Sequence, residues 1–177
     1  MKGFTLIELS VALSIMAILA AMLLPRVAQL QRSARVGNLQ GLRGSLAARA
    51  MLVHTATMLR QGERDARACA GGGFADNQAV GAGTVCTEIG LVHTWNGYPA
   101  STPLGTAGVV SASGASRVFN PTEAQLRADG YRVSLASGVT TFARADASNP
   151  DMCSFTYTQP LDAQTAAAIS VPVVSGC

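Results

Sequence analysis

Residues Phe4 to Leu24 form an apolar run that contains no Arg or Lys. At about 1.5 Å per helical residue it spans roughly 30 Å, the thickness of a bilayer's hydrocarbon core, so it reads as a membrane-spanning helix. One carboxylate, Glu8, stands near its start. An ionised group there costs about 2.5–3.5 kcal/mol on an insertion scale, so Glu8 needs a use or a partner. A very short, positively charged leader, Met1-Lys2-Gly3, precedes the run.

The opening Gly3-Phe4-Thr5-Leu6-Ile7-Glu8-Leu9, with the apolar run behind it, closely resembles the class III signal of type IV prepilins. A small residue before Phe, the Thr-Leu-Ile-Glu order and the long apolar stretch occur together. The resemblance implies cleavage between Gly3 and Phe4 on the cytoplasmic side and N-methylation of Phe4. It also implies that the remaining helix is kept and assembles into a filament core. The partners implied are a prepilin peptidase/methyltransferase, a pilus assembly platform in the inner membrane, and other copies of the chain in a helical homopolymer. The competing assignment is an ordinary secretory signal peptide, with Ala17 to Ala21 supplying a small-residue cleavage site. The apolar region of such a signal is usually about 7–15 residues and seldom carries a Glu.

The 177 residues suit one domain plus an appended helix. Charged residues are 13% of the chain, low beside the ~25% usual for soluble domains, and small residues dominate. The formal charge of +3 is unevenly spread. From Phe4 to Arg60 six arginines (Arg26, Arg32, Arg35, Arg43, Arg49 and Arg60) face Glu8 alone, a net +5. From Gln61 to Cys177 six arginines face nine acids, a net −3. A basic stalk therefore carries a mildly acidic head. Two uses fit the stalk arginines: a solvated face whose first members lie at lipid headgroups, or contacts to head carboxylates of neighbouring subunits that set register. Specific nucleic-acid binding is not expected, because the basic residues are not interleaved with aromatics and the head is acidic.

Helical periodicity continues past Pro25 through Val27, Leu30, Ala34, Leu42, Leu46, Ala50 and Val53, with Arg32, Arg35, Arg43 and Arg49 largely off that stripe. The pattern predicts one long helix, kinked or loosened at Pro25, that frays near Arg60-Gln61-Gly62. Gly37, Gly41 and Gly44 each cost about 1 kcal/mol of helix propensity against Ala. Their spacing of about one turn fits close backbone approach to the head or to another helix, or simple flexibility. The expected organisation is a leader at 1–3, a transmembrane or filament-core helix at 4–24, its amphipathic continuation at 25–60, and a globular head at 61–177.

In the head, Gly71-Gly72-Gly73 and Gly81-Ala82-Gly83 predict irregular connections, and short apolar pieces alternate with turn residues from Thr84 to Gly114. Trp95, Tyr98 and Pro99 are expected to cover the helix rather than form an exposed patch. Asn120-Pro121-Thr122-Glu123 predicts a helix start with Asn120 as cap, the helix ending near Asp129-Gly130. Strands are expected at 131–135, 139–143 and 152–158, the first two joined by a tight hairpin through Ala136-Ser137-Gly138. A last piece, 169–174, contains Pro172 and belongs at an edge. The fold class is α+β: a long helix packed on a small antiparallel sheet, as in pilins.

Four cysteines, Cys69, Cys86, Cys153 and Cys177, imply two disulfides in an exported, loop-rich head. They admit three pairings. The sequence-local one, Cys69 with Cys86 and Cys153 with Cys177, is expected, because it closes one loop before the sheet and ties the last residue to a strand. Metal binding is disfavoured by the lack of paired C-x-x-C spacing, and no cofactor is expected. His54, expected as a polar residue on the stalk, and His93, expected in a loop, are the only imidazoles, and no nucleophile elbow or metal pair stands beside either in the sequence. An enzyme is therefore not expected.

A narrower resemblance is carried by Leu39-Gln40-Gly41-Leu42-Arg43-Gly44, by Val85-Cys86 with Gly97-Tyr98-Pro99 beyond it, and by Cys153-Ser154-Phe155-Thr156-Tyr157-Thr158. These segments look like mannose-sensitive haemagglutinin (MSHA) type pilins, a branch of the type IVa pilins. That branch implies the major subunit of a thin surface fibre for adhesion and biofilm formation. It places the subunit in the inner membrane before assembly and outside a Gram-negative cell afterwards, with a surface or glycan receptor as a further candidate partner. The alternatives are a type II secretion pseudopilin or minor pilin, which share the signal, and, of another class, an exported enzyme or binding domain behind a secretory signal.

Overall fold

A computed structural model describes residues 5–177. One helix, α1, runs over Leu6–Arg60 and passes through Pro25. The chain divides into two compact units, the first ending at Arg35 and the second spanning Val36–Cys177.

The first unit is the leading part of α1. Its side chains are exposed almost throughout, from Leu6 to Leu30. The helix is long and apolar enough to cross a membrane, and none of its apolar window is buried. Apolar surface on this scale needs lipid or other protein around it, since contiguous exposed patches on soluble monomers are far smaller.

The second unit is α+β. The rest of α1 buries Leu39, Leu42, Leu46, Ala50, Val53 and Thr57, steps of three and four that form one face. Thr57 Oγ1 donates to Val53 O at 2.9 Å, so its buried hydroxyl is satisfied within the helix. Seven strands follow in two antiparallel sheets. The first holds β1 (Ala82–Thr87), β2 (Gly90–Trp95) and β3 (Tyr98–Pro99) in that order. The second holds β4 (Tyr131–Ala136), β5 (Val139–Arg144), β6 (Ser154–Thr158) and β7 (Ala168–Ile169), also in sequence order.

Each sheet has its own core against α1. Leu39, Leu42, Leu46 and Ala50 pack with Leu126, Phe142, Phe155 and Tyr157. Val53 packs with Val85, Val92 and Ala112. Phe142 and Phe155 are cross-strand partners, their rings stacked with centroids 5.3 Å apart. The sheets are tied to each other by Tyr157, whose hydroxyl donates to Pro99 O at 2.7 Å, and burial pushes that hydroxyl's pKa up.

Local turn chemistry explains the hairpins. Trp95 pairs with Tyr98 across Asn96-Gly97, with φ of 49° and 77°, and Ala136 pairs with Val139 across Ser137-Gly138, with φ of 46° and 80°. Two successive positive φ values are the turn that matches the right-handed twist of the flanking strands.

Several expectations are corrected. Two sheets stand where one was expected, because Ala82, Gly83 and the pieces that follow pair as β1–β2 over a full six-residue register. Gly83 is required there: a Cβ would sit 2.8 Å from Gln78 O. A short helix, α2 (Val109–Ser113), lies in the stretch read as alternating turns. Asn120 does not cap the next helix, α3 (Glu123–Ala128). Its φ of 60° is outside the extended region a cap needs, and Thr122 caps instead. Thr122 Oγ1 accepts from Gln125 N and Gln125 Oε1 accepts from Thr122 N, a reciprocal box. Met152, expected to begin the third strand, instead ends a 3₁₀ turn, Pro150–Met152, and β6 starts at Ser154. The last piece shrinks to β7 plus a single bridge from Val173 to Ser154, with Pro172 between them. Pro has no N–H to give a ladder, which keeps this segment short and at the edge.

Asp76 fastens the start of the first sheet. Its Oδ1 accepts from Thr84 N at 2.7 Å, Thr84 Oγ1 at 3.0 Å and Gln78 N at 3.3 Å. Partial burial raises its pKa, but these hydrogen bonds outweigh burial and hold it below the ordinary value. A depressed folded-state pKa contributes stability above the unfolded pKa of about 3.9, lost as pH falls through the folded value. Asp76→Asn keeps the acceptor and removes the titration. Urea melts at stepped pH are therefore expected to show a flatter acid limb for the variant than for the native protein. Identical acid limbs would contradict this role for Asp76.

Candidate assembly site and disulfide frame

Gly3 and Phe4, the residues of the expected processing junction, lie outside the described residues. Glu8 is described, in the first turn of α1. Its Oε2 accepts from Thr5 N at 3.2 Å and from Thr5 Oγ1 at 3.1 Å, while Glu8 N donates to Thr5 Oγ1 at 3.3 Å. Thr5 and Glu8 thus form a capping box at the start of an apolar helix. A carboxylate at this end is also favoured by the helix dipole. The Thr-x-x-Glu spacing that supplies Glu8 with a partner inside the chain was legible in Thr5-Leu6-Ile7-Glu8. Two further hydroxyls in the run satisfy themselves along the helix: Ser10 Oγ donates to Ile7 O at 2.9 Å and Ser14 Oγ to Ser10 O at 2.8 Å.

The stalk arginines within the second unit are used inside the chain. Arg43 Nε donates to Ser170 O at 2.8 Å, gripping the residue after β7. Arg49 donates to Ala112 O at 3.4 Å, near the end of α2, and Ser45 Oγ donates to Ser113 O at 3.2 Å beside it. Both sequence alternatives therefore miss what Arg43 and Arg49 do, because periodicity shows that a side chain leaves the apolar stripe but not which carbonyl it reaches. Arg60 closes the helix: its guanidinium donates to Asp65 Oδ2, Asn77 Oδ1 and Cys86 O, at 3.3–3.5 Å. Asn77 is fully buried, and its Nδ2 donates to Glu63 O at 2.6 Å and Asp65 Oδ1 at 2.9 Å. A polar knot at the end of α1 thereby fixes the loop leading to β1.

The disulfides are Cys69–Cys86 and Cys153–Cys177, with sequence separations of 17 and 24 residues. The first fixes the loop after α1 to β1, so it closes onto a sheet rather than before one. The second anchors the last residue beside the 3₁₀ turn, where Gly176 N donates to Met152 O at 2.8 Å. Asp65, Cys69 and Cys86 gather possible ligand atoms within 4.8 Å, yet the two sulfurs are bonded to each other and offer no thiolate.

Gly37, Gly41 and Gly44 are not approached by the head: a Cβ at any of them meets nothing within 4 Å. His93 lies in β2 rather than in a loop. His54 is stacked on Tyr98 with centroids 4.0 Å apart, and its buried Nδ1 has no hydrogen-bond partner. Tyr98 and Pro99 are buried and Trp95 is 37% exposed, so this trio serves as core and cover.

Residues 1–24 match the family model of the prokaryotic N-terminal methylation motif. Neither the curated proteins nor the solved structures compared with the chain gave a match. The motif supports a type IV pilin-like or pseudopilin subunit with an apolar N-terminal helix, and is consistent with processing by a prepilin peptidase. Motif and fold together suggest a structural protein rather than an enzyme.

The Cys153–Cys177 loop carries the prediction for this frame. Closing a loop of this size stabilises a domain by about 3 kcal/mol in the chain-entropy model, a large share of a small domain's margin. Cys177→Ser is expected to lower the denaturation midpoint of the full chain in non-reducing buffer and to reduce subunit level in cells. An unchanged midpoint would contradict a stabilising role.

Proposed function

We propose that the chain is the structural subunit of a type IV pilus of the MSHA-like kind, polymerising into a surface fibre for adhesion and biofilm formation. The observation that carries this reading is the methylation motif at the head of a helix whose apolar surface is left unburied. Residues 1–3 act as leader, 4–24 as the membrane and then fibre-core helix, 25–60 as its continuation and 61–177 as the displayed head. A prepilin peptidase cuts between Gly3 and Phe4 and methylates the new amine. An inner-membrane platform then moves subunits into a fibre outside a Gram-negative cell, where a surface or glycan receptor is met by the head.

Assembly turns on Glu8. Cleavage places the positive amine of Phe4 at the same end of the apolar helix, so hydrocarbon penalises two charges per subunit. In a staggered bundle Glu8 of one subunit meets the Phe4 amine of another. Removing one member leaves a buried, uncompensated charge, at a cost of about 3–5 kcal/mol. The pair makes one axial stagger cheaper than the others and so sets register. The capping box to Thr5 fits this role, because it satisfies the carboxylate before a partner subunit is present.

Glu8→Gln tests the assignment. The variant is expected to be cleaved and to remain in the inner membrane while fibres disappear in electron micrographs of the cell surface. Normal fibres of unchanged symmetry would overturn the pairing. Wild-type cells without fibres that contain this chain would overturn the pilus reading itself.

A further inference from the structure

In the second unit, a groove of about 1000 Å3 opens beside the end of α1. Leu52 and Ala56 of α1 and Ile89 and Val92 of the first hairpin line it, with the Cys69–Cys86 disulfide in its wall. The volume is at the upper end of the range for small-molecule pockets, and the groove is open enough to admit a chain segment. Leu52 is 69% exposed and Ile89 51% exposed, so apolar surface is presented without a cover. Its charge is biased. Arg60 is committed to Asp65, which leaves Arg49 and Arg67 against Glu88 among the charged residues that line it.

The same chain carries a complement on its other sheet. Leu161, in the connection from β6 to β7, is 89% exposed. Asp162 follows, and its Oδ1 accepts from Gln164 N at 3.0 Å and Thr165 N at 2.9 Å. These bonds hold an apolar tip and an adjacent carboxylate in one turn, which lowers the ordering cost of docking.

We propose that the groove receives the 161–165 turn of a second copy of this chain, Leu161 entering its apolar part and Asp162 meeting Arg67. The inference rests on the reading that the chain polymerises. The groove lies at the first sheet and the turn in the second, so each copy offers both patches. Used head-to-tail, the contact propagates where the rotation between copies does not close a ring. The apolar tip supplies burial, and the Asp162–Arg67 pair supplies orientation.

The test uses the full-length chain in cells. Leu52→Cys and Leu161→Cys are expressed together as two single variants, so that a disulfide between positions 52 and 161 forms only between subunits. Peptide mapping of sheared fibres is expected to recover that link, and fibres of either variant alone are expected to lack it. Arg67→Glu and Asp162→Arg are each expected to lower fibre yield about tenfold, and the double exchange to restore it, as a directly coupled pair requires. Fibres that form normally without the 52–161 link, and whose yield ignores both charge changes, would overturn the inference while leaving the pilus reading intact. Absence of the chain from wild-type fibres would overturn both.

Discussion

The constraint on which the rest depends is the apolar surface of the first half of α1. A helix satisfies its own backbone hydrogen bonds, so α1 is stable in hydrocarbon, but its side chains from Leu6 to Leu30 have no protein around them. The chain therefore needs a lipid bilayer or other protein around this helix. Three of its polar side chains are bonded in a way that tolerates either setting. Ser10 and Ser14 donate back to helix carbonyls, and Glu8 is held by Thr5. A carboxylate satisfied locally, yet at the helix end, is ready for a stronger partner. In the assembly we propose, exchange of this exposed contact for a desolvated charge pair is the step that makes one arrangement of subunits preferred.

From Val36 onward the rest of α1 and both sheets form one compact unit. A single face of α1, Leu39 to Thr57, serves two sheets, each with its own apolar cluster. Tyr157 to Pro99 links the sheets, Arg43 and Arg49 reach out to backbone carbonyls, and Arg60 knots the far end through Asp65 and Asn77. Disulfides then close the loop after the helix and the chain's last residue. With few charged residues and many small ones, the head relies on backbone-directed hydrogen bonds and cross-links where a larger domain would rely on more core.

The parts legible in the sequence were those with strong local signals. An unbroken apolar run and a three-four stripe mark α1, and Ser137-Gly138 between alternating residues marks the β4–β5 hairpin. What escaped has physical reasons. Gly81-Ala82-Gly83 look like a loop because glycine usually weakens a strand, but here Gly83 is needed for the close approach of Gln78. Asn120 and Thr122 are both good caps by residue type, and only the backbone distinguishes them. Leu39 belongs to the buried face although the stripe read from the sequence skipped it, and Val27 and Leu30 belong to the stripe but are exposed. Periodicity reveals an apolar face, not what covers it. Long-range placements such as Arg43 on Ser170 leave no local mark at all.

The central claim is that the apolar helix is kept and becomes the body of a polymer. Intact-mass analysis of the subunit extracted from purified surface fibres tests it most directly. A mass lacking Met1 to Gly3 and carrying one added methyl at Phe4 is the predicted result. A subunit beginning near or beyond Ala21, with the apolar run removed, would contradict the account.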